Sequence, residues 1–489
     1  MINRSILVTT KSFRSYFNLN DMKLTIDDVL SLRHIQRMNV EGLKPKATVH
    51  VSTDSRSMKS GDVFFAIRGE KYDGHQFVDK AFEAGAAIAV VDDRSDVPSL
   101  PEKPMIVVKD TTKALGHLAN TYRRKFSIPF LAVAGSNGKT TSKDMIADVL
   151  SKTFSVLKTE GNLNNHIGVP KTLFRLGKKH DIAVIEVGTN HPGELKYLCG
   201  ILEPTHGLVT NIGREHLEFF HDLKGVAKEE GTLFDSLGSA GTSFVNVDDP
   251  WVLQRSVKLK DKITYGFTKQ GNVRGMFLGL DKKACGSFSV KVKGKKEFVV
   301  RLSVPGKQAV ANALAASTVG IEFGIPTKHI RTSLFRFSAT SKRMQVYTMR
   351  GVTIIDDTYN ANPESMVAAL ETLGAMRTRG KKIAVLADML ELGEYSTEEH
   401  RTVGEKVGEF ADCLLTYGRQ AKVIFDNTRV KMKFHYDQKN VLSEYLQEFV
   451  TPGDMVLVKG SRGMAMEDVV TFLLERLKHR LRNAVSLAG

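Results

Sequence analysis

The sequence predicts an α/β protein built from three successive stretches. Short apolar segments alternate with helical segments from about residue 126 and again from about residue 339, a pattern typical of parallel strands joined by helices. In the first of these two series, a glycine-rich loop stands between an apolar strand and a helix. The 489 residues suffice for two to four domains of about 100–200 residues each.

Composition excludes several classes of protein. Hydrophobic residues make up 42% of the chain and charged residues 25%, which is ordinary for a globular protein and excludes wholesale disorder. The longest uncharged apolar stretch, residues 84–91, is far shorter than the roughly 18 residues that cross a bilayer, so we expect no membrane insertion. The three cysteines are too widely spaced to predict a metal site or a disulfide framework. Their scarcity indicates a reducing compartment, and we expect the protein in the cytoplasm.

The net charge is strongly positive. Lysine and arginine number 70 against 54 aspartate and glutamate, a difference of +16. Such a surplus suits nucleic acid, a membrane surface or small polyanions such as nucleotides. The basic residues are spread along the chain, with no aromatic interleaving and no known nucleic-acid motif, so we expect no nucleic-acid partner.

Residues 1–21 are predicted to be a leader outside the first domain. They carry Arg4, Lys11 and Arg14 with no acidic residue before Asp21, which also fits an organellar transit peptide. A continuous apolar core of the secretory type is absent from them. We favour a disordered leader or an upstream start codon, because a plausible domain begins at Met22.

The first stretch mixes short strands and helices. Residues 62–67 and 87–91 are predicted strands, with a turn and then a helix over 76–84 between them. Ser55 and Arg56 lie in a predicted loop whose hydroxyl and guanidinium groups suit a phosphate or a sugar. A loop of this composition is more often only a turn.

A phosphate-binding loop is predicted between a strand over 130–134 and a helix over 143–150. Its glycines let backbone N–H groups approach phosphate oxygens, and the helix start adds a favourable dipole. Lys139 would reach the β- and γ-phosphates of ATP, and the Thr140 hydroxyl would bind Mg²⁺. Val133 occupies the first glycine position of the full pattern, so the match is imperfect. The loop comprises Gly135, Ser136, Asn137, Gly138, Lys139, Thr140 and Thr141.

Polar residues follow three neighbouring predicted strands or strand ends. Glu186 ends the strand over 182–185 and is placed like a second metal ligand, while His216 follows the strand over 207–210. Residues 159–168 are rich in amides, including Asn162, Asn164 and Asn165. Each has an ordinary structural explanation by itself. Because carboxyl ends of parallel strands meet at one edge of the sheet, we expect these side chains to share one site.

The rest of the chain adds antiparallel strands and a second α/β series. Residues 287–292 and 298–302 alternate as antiparallel strands do, and a helix is predicted over 309–320. Further predicted strands lie at 352–355, 382–386, 413–417 and 455–459, before a basic helix over 467–483. Polar loops after two of these strands suit a ribose or a second substrate; they contain Asp357, Asn360, Asn362, Lys459 and Ser461.

Together these motifs resemble the Mur ligases, the ATP-dependent amide-forming enzymes of peptidoglycan synthesis. The resemblance runs from about Met22 to the C-terminal region. The phosphate loop is common to the superfamily. The segments that resemble the D-Ala-D-Ala-adding members are residues 159–168, 357–363, 388–393 with His400, and 459–464. Asp54-Ser55-Arg56 and Asp73-Gly74-His75 resemble a UDP-binding domain.

The resemblance implies three domains: a mixed α/β UDP-sugar-binding domain over 22–125, a central P-loop, parallel-sheet ATPase domain over 126–338, and a C-terminal Rossmann-like α/β domain over 339–489 for the incoming dipeptide. It also implies the substrates UDP-MurNAc-tripeptide, ATP and D-Ala-D-Ala, with an acyl-phosphate intermediate. We expect a monomer.

The resemblance further implies roles for single residues. The catalytic set is Lys139, Glu186, His216 and Arg343. Asn312 would contact adenine, and Arg343 and Asp357 would reach the phosphates and ribose. Mg²⁺ would be held by Thr140 and Glu186, with a second Mg²⁺ near His216. The expected substrate-binding residues are Ser55, Arg56, Asn162, Asn164, Asn165, Asn360, Asn362, Lys459 and Ser461.

The chain departs from the family pattern at two places. Members carry a carbamylated lysine four residues before an aromatic residue, but the residue four before Phe234 is Glu230. We therefore expect Glu230 to supply the negative oxygen to Mg²⁺. Of the family's His-Asn pair, only Asn312 remains.

Two other functions fit parts of the sequence. A sibling Mur ligase or a folylpolyglutamate synthase would share the ATP-binding fold, although the residues around Tyr359 and the UDP-type first domain argue against folate. An inactive relative acting as a scaffold would be expected to have lost Lys139 or Glu186, and both are present.

Overall fold

The computed structural model describes residues 23–69, 72–94, 103–268, 271–339 and 341–486. The predicted leader over residues 1–21 lies outside these ranges. The described strands form three separate sheets of five, nine and six strands, which follow one another along the chain. No helix within the described ranges is long and apolar enough to cross a membrane.

The first sheet has the strand order β1-β5-β4-β3-β2. Strands β2 to β5 are parallel, and β1 pairs with β5 in the antiparallel sense. The predicted strands at 62–67 and 87–91 are both present. The elements are β1 Ile35–Asn39, β2 Val51–Ser52, β3 Val63–Phe65, β4 Ile88–Asp92 and β5 Met105–Val108, with helices α1 Ile26–Leu30, α2 Val78–Glu83 and α3 Thr111–Arg123.

The second sheet has the order β14-β13-β12-β11-β10-β9-β6-β8-β7. Strands β6 to β12 are parallel, and β13 and β14 extend the sheet as antiparallel strands. The strands are β6 Phe130–Ala134, β7 Val156–Lys158, β8 Ile182–Glu186, β9 His206–Val209, β10 Thr242–Asn246, β11 Lys262–Gly266, β12 Val273–Leu280, β13 Cys285–Val292 and β14 Phe298–Pro305.

Helices cover both faces of this sheet. Every residue of β6 and β8 is buried, which explains their continuous apolar sequences. The helices are α4 Lys139–Leu150, α5 Gly168–Leu173, α6 Glu194–Leu202, α7 Leu217–Phe220, α8 Leu223–Glu230, α9 Thr232–Asp235, α10 Pro250–Arg255, α11 Lys307–Glu322 and α12 Thr327–Arg336.

Helix α4 begins four residues earlier than the predicted start at residue 143. Gly138 is its N-cap with φ of 80°, and Lys139 is the first helical residue. The first turn has the sequence Lys-Thr-Thr-Ser, which contains no apolar residue. The spacing of apolar residues therefore predicts the helix only from its second turn. The earlier start places Lys139 and Thr140 in the first turn, next to the loop's free N–H groups.

Helix α3 joins the first domain to the second. A Cβ atom at Gly116 would lie 2.4 Å from the Tyr197 hydroxyl, so glycine lets the Tyr197 side chain of α6 pack directly on α3. The Arg123 guanidinium donates to the carbonyls of Leu202 and Glu203, at 2.6 and 2.8 Å. These contacts satisfy carbonyls at the C-terminal end of α6 and attach the first domain to the sheet that carries the phosphate loop.

The third sheet has the order β15-β16-β20-β17-β18-β19, with only β15 antiparallel to its neighbour. The central strand β20 lies between β16 and β17, so the loops after these three strands meet at one edge. The strands are β15 Gln345–Met349, β16 Val352–Asp356, β17 Lys382–Ala387, β18 Cys413–Tyr417, β19 Met432–Tyr436 and β20 Met455–Lys459. The helices are α13 Pro363–Ala375, α14 Ser396–Val407, α15 Ala421–Asn427, α16 Lys439–Phe449 and α17 Glu467–Ser486.

Candidate active site

A cleft of about 650 Å³ lies between the phosphate loop of the second sheet and the loops of the third. Most of the predicted site residues line it. They are Ser136, Asn137, Gly138, Lys139, Thr140, Thr141, Asn162, Asn164, Asn165, Glu186, His216, Asn312, Arg343, Asp357, Asn360, Asn362, Lys459 and Ser461. The cleft is therefore the place where the predicted nucleotide site and the predicted second-substrate loops come together.

The phosphate loop requires glycine at both of its predicted glycine positions. Gly135 has φ of 112° and Gly138 has φ of 80°. A Cβ atom at Gly135 would lie 2.4 Å from Thr210 Oγ1, and one at Gly138 would lie 2.4 Å from Asn312 Oδ1. The left-handed backbone and the close approach both exclude larger residues. The second contact also places Asn312 directly against the loop.

Lys139 is surrounded by carboxylates. Its Nζ lies 3.3 Å from Glu215 Oε2 and 3.9 Å from Glu230 Oε1, and it donates to the Ser136 carbonyl. Burial lowers the pKa of Lys139, but Glu215, Glu230 and Glu186 outweigh burial and raise it. Lys139 therefore carries its positive charge beside the phosphate loop.

Glu230 does not line the cleft. It is fully buried at the end of α8, and its Oε2 accepts a hydrogen bond from the Gly135 amide at 2.7 Å. Burial and the nearby Glu215 raise the pKa of Glu230 to about 8, whereas Lys139 and the Gly135 amide oppose the rise. Glu230 Oε1 is buried without a hydrogen-bond partner in the described residues and lies 3.9 Å from Lys139 Nζ. Glu230 therefore contacts the phosphate loop and its lysine, and its role towards Mg²⁺ stays a prediction.

Glu186 and Thr140 form the part of the cleft that suits a cation. The Thr140 hydroxyl lies 3.1 Å from Glu186 Oε1, which also accepts from the Asn164 amide at 2.9 Å. Glu186 Oε2 is buried without a hydrogen-bond partner in the described residues. Across the described ranges, no three His, Cys, Asp or Glu side chains meet closely enough to bind a metal by themselves. The assignment of Mg²⁺ to Thr140, Glu186, His216 and Glu230 stays a prediction.

His216 contacts the third domain. Its Nδ1 lies 2.5 Å from Glu391 Oε2, and this histidine lowers the pKa of Glu391 although burial opposes the shift. Arg214 contacts the same domain through Glu364 at 3.1 Å and Glu399 at 3.0 Å. Sequence reasoning missed the three third-domain carboxylates that contact His216 and Arg214, because nothing in the spacing of these residues indicates a contact across domains.

Several predicted substrate residues hold the loops of the third domain together. Lys459 Nζ lies 2.6 Å from Asp357 Oδ2 and donates to the Asn360 carbonyl at 2.9 Å. Ser461 accepts from the Leu390 amide. The loops that follow β16, β17 and β20 are thereby tied into one unit at the edge of the cleft.

Two predicted residues contact or approach the phosphate loop from the third domain. Asn362 caps α13 and donates from Nδ2 to Asn137 Oδ1 at 3.0 Å. The Arg343 guanidinium lies 3.8 Å from the centroid of the Tyr359 ring, a cation–π contact that holds it over the cleft. Asn362 therefore connects the third domain to the phosphate loop, and Arg343 lines the cleft between them.

Ser55 and Arg56 lie in the first domain and do not line this cleft. Arg56 forms a two-pronged ion pair with Asp54, at 2.9 and 2.7 Å, and its side chain is 88% exposed. The Arg56 hydrogen bonds lower the pKa of Asp54 to about 2. The charge of Lys171 in α5 also lowers it.

Glu215 is the main site residue that the sequence prediction missed. It is buried, lines the cleft and ion-pairs with Lys139. It stands directly before His216 in a segment already selected as polar, so its position was available from the sequence. Its contact with Lys139, 76 positions away, could not be predicted from the sequence.

Comparison with known families matches three consecutive parts of the chain. The pattern of the Mur ligase family, catalytic domain, matches residues 48–123. The Mur ligase middle domain matches residues 133–320, and the Mur ligase, glutamate ligase domain, matches residues 342–462.

The chain is also similar to named proteins over most of its length. It is 36% identical to UDP-N-acetylmuramoyl-tripeptide–D-alanyl-D-alanine ligase of Bacillus subtilis (strain 168), covering 87% of this chain and 93% of that protein. The protein of the same name from Escherichia coli (strain K12) is 35% identical with the same coverage.

Solved structures agree with these sequence matches. A crystal structure of MurF from Acinetobacter baumannii superposes with a TM-score of 0.80 at 31% identity, covering 87% of this chain and 93% of that one. MurF ligase from Thermotoga maritima in complex with ADP gives a TM-score of 0.79 at 28% identity, covering 88% and 98%.

Proposed function

This chain belongs to the Mur ligase family, and we propose that it is the ATP-dependent ligase that joins D-alanyl-D-alanine to UDP-N-acetylmuramoyl-tripeptide, a step of peptidoglycan precursor synthesis. The observation that carries the proposal is the cleft that faces the phosphate loop on one side and the loops of the third domain on the other. Its two sides touch through Asn137 and Asn362 at 3.0 Å. Relatives named for this reaction align over nearly all of the described chain.

The proposed reaction has two steps. The terminal carboxylate of the tripeptide attacks the γ-phosphorus of ATP, and the bond between the β–γ bridging oxygen and that phosphorus breaks, giving an acyl phosphate and ADP. The amine of D-Ala-D-Ala then attacks the acyl carbon, loses a proton and displaces inorganic phosphate. The first step brings two anions together, so it needs positive charge at the point of contact.

Lys139 supplies that charge from the chain itself. Its ammonium is held at the start of α4 by Glu215 and the Ser136 carbonyl, so it is ordered before a nucleotide binds. The backbone N–H groups of the loop and the first turn of α4 face the same place. Arg343, held over the Tyr359 ring, approaches from the third domain. Asn312, packed against Gly138, is proposed to contact adenine.

Mg²⁺ is proposed to bind at Thr140 and Glu186, with a second ion near His216. The unpartnered buried Oε2 of Glu186 fits a cation, and Mg²⁺ commonly binds one or two carboxylates together with substrate phosphates and water. The ion would neutralise charge on the phosphates and the attacking carboxylate.

The remaining parts of the proposal concern domains and location. Residues 22–125, with Ser55 and Arg56, are assigned to the UDP-sugar, 126–338 to ATP and 339–489 to the dipeptide. Asn162, Asn164, Asn165, Asn360, Asn362, Lys459 and Ser461 are assigned to the two peptide substrates. Cys199, Cys285 and Cys413 are free thiols, which suits the reducing cytoplasm, and we expect a monomer.

Phosphate release by the purified protein tests the proposal. We expect release only when ATP, UDP-MurNAc-tripeptide and D-Ala-D-Ala are all present, with a product whose mass equals the sum of tripeptide substrate and dipeptide minus water. Lys139→Ala should lower kcat by at least about 100-fold, because a preorganised charge at the transition state is removed. Release with glutamate and a folate would overturn the assignment in favour of a folylpolyglutamate synthase, and no release with any substrate would favour a scaffold.

A further inference from the structure

A groove of about 510 Å³ lies at the edge of the second sheet, between the edge strand β14 and the helix α12. It shares no lining residue with the active-site cleft. Val299 and Arg301 of β14 line one wall, and five residues of α12 line the other. Four of these seven residues are cations and none is acidic, so the groove is called here the basic groove.

One face of α12 forms the helical wall of the basic groove. Its residues follow the spacing i, i+3, i+4, i+7 and i+8, which places them on one side of a helix. They are Lys328, Arg331, Thr332, Phe335 and Arg336. The Phe335 residue is 57% exposed, although the opposite side of the helix is buried in the core. This face therefore presents an apolar ring among cations.

The four cations of the basic groove are not neutralised by the described part of the chain. The side chains of Arg301, Lys328, Arg331 and Arg336 form no ion pair or hydrogen bond with another described residue. Arg124, an exposed arginine elsewhere, is paired with a carboxylate. Neighbouring like charges repel one another, so the basic groove favours an anionic occupant.

The strand wall of the basic groove offers free backbone groups. β14 is the last strand in the order of its sheet and pairs only with β13. Apart from that pairing, the backbone of residues 298–302 has no hydrogen-bond partner among the described residues. Every second residue of an edge strand turns its N–H and C=O away from the paired strand. An extended chain laid along β14 could therefore pair with these groups.

The shape and chemistry of the basic groove fit a peptide better than a small anion or a membrane. Lys328 and Arg336 are eight positions apart, about 12 Å along the helix, which is the length of about four residues of extended chain. All four cations are exposed, so no buried charge is placed to enclose a small ligand. A lipid surface has no backbone to pair with an edge strand.

We propose that the basic groove binds an extended acidic segment of a partner protein, which pairs with the free edge of β14 and places its carboxylates against the cations of α12. An apolar side chain of the segment would lie on Phe335 and Val299. In strand addition of this kind, main-chain hydrogen bonds provide affinity and side chains provide specificity.

The bound partner would lie beside the active-site cleft without entering it. Pro305 ends β14 and Phe337 directly follows α12, and both residues line the cleft. The two walls of the basic groove thus continue into the cleft, while the groove itself stays separate from it. The proposed binding does not depend on the reaction assigned to the cleft.

Fluorescence anisotropy with a synthetic peptide tests the proposal. The probe is a fluorescein-labelled peptide, capped at its C-terminus, in which glutamate alternates with valine and phenylalanine, and it is titrated with the full chain. We expect saturable binding that weakens as salt is added, because exposed ion pairs are screened. A peptide with glutamine at every glutamate position should bind at least about fivefold more weakly, and so should one with N-methylated backbone amides.

Lys328→Glu is the main variant, and Lys196→Glu is its matched control. Each replaces an exposed lysine in the first turn of a helix, α12 or α6, so the two substitutions change the net charge and the helix terminus alike. We expect Lys328→Glu to weaken peptide binding about fivefold and Lys196→Glu to leave it within twofold. Neither lysine has an ion pair among the described residues, so both variants should unfold at the wild-type urea concentration.

Three outcomes would overturn the inference. The first is no peptide binding, or equal weakening by Lys328→Glu and Lys196→Glu, which would leave only general charge attraction. The second is equal affinity for the N-methylated peptide, which would show that the edge of β14 is not used. The third is tighter binding of inorganic polyphosphate or of phosphatidylglycerol vesicles than of the peptide, with the same loss in Lys328→Glu. None of these measurements uses the ligase substrates, so they decide the inference even if the proposed function fails.

Discussion

Glu230 Oε2 accepts a hydrogen bond from the amide of Gly135 at 2.7 Å, and this contact attaches the end of α8 to the first residue of the phosphate loop. The carboxyl is fully buried, and its pKa is raised to about 8 by burial and by Glu215. Glu230 therefore acts on the loop as a hydrogen-bond acceptor. In the sequence, Glu230 stands four residues before Phe234.

Glu230→Gln should change kcat and the KM for ATP little, whereas Glu230→Ala should raise the KM for ATP. Glutamine keeps the length and an acceptor oxygen for Gly135, so we expect the KM for ATP and kcat to stay within about threefold at pH 7. Alanine leaves the buried Gly135 amide unpaired at a cost of about 1–3 kcal/mol, which should raise the KM for ATP at least tenfold. If the glutamine variant is as damaged as the alanine variant, the negative charge of Glu230 is needed and a metal-binding role regains support.

Gly138→Ala should weaken nucleotide binding. The added Cβ would meet Asn312 at 2.4 Å, and alanine is strained at φ of 80°. Asn312 must then move away from the loop, so we expect the KM for ATP to rise at least about tenfold. The measurement is ATP dependence of phosphate release.

Gly200→Ala is the matched control for this substitution. Gly200 lies in α6 with nothing within 4 Å of an added Cβ. We expect unchanged kinetics and a gain in stability of roughly 0.5–1 kcal/mol from higher helix propensity. Equal loss of ATP affinity in both variants would contradict the structural reason given for Gly138.

Asp357→Asn should destabilise the protein because it leaves Lys459 uncompensated. The Lys459 side chain is only 3% exposed and its ammonium lies 2.6 Å from Asp357. Removing one partner of a buried ion pair costs about 3 kcal/mol, which urea denaturation followed by circular dichroism should detect. Asp426→Asn removes an exposed pair with Lys422 and should cost less than about 0.5 kcal/mol. Equal losses of unfolding free energy in the two variants would show that the burial of Lys459 does not matter.

Stability should fall as the pH is lowered through the range set by His206. Burial lowers the pKa of His206 from 6.5 to about 4, so the unfolded chain binds this proton more readily than the folded one. The loss begins below about pH 6.5 and is complete near pH 4. From pH 7 to pH 5 it amounts to about 2 kcal/mol of unfolding free energy.

His206→Phe tests that contribution. It keeps an aromatic ring near Phe244 and Phe323 but does not titrate. The variant's unfolding free energy should decline less steeply between pH 7 and pH 5, by about the same 2 kcal/mol. Parallel curves for the two proteins would assign the acid sensitivity to other groups.

The sequence by itself determined the features that depend on neighbouring residues. The apolar run of β6 had to be a strand buried on both faces, and a loop with glycine where φ is positive had to follow it. Because parallel strands align their carboxyl ends, the polar residues after β8 and β9 were correctly expected at one site. The early start of α4 was missed because its first turn is polar throughout.

The tertiary structure alone decided which distant residues meet. Glu230 and Gly135 are 95 positions apart, and Glu391 reaches His216 from another domain. Spacing can place Glu230 on a helical face, but it does not tell on which side of the phosphate loop that face lies. Burial then changes its chemistry, since it raises the pKa of the Glu230 carboxyl above the value that the carboxyl has in water. The physical reason is that local preferences act through adjacent backbone atoms, whereas partners and protonation depend on how separate elements pack.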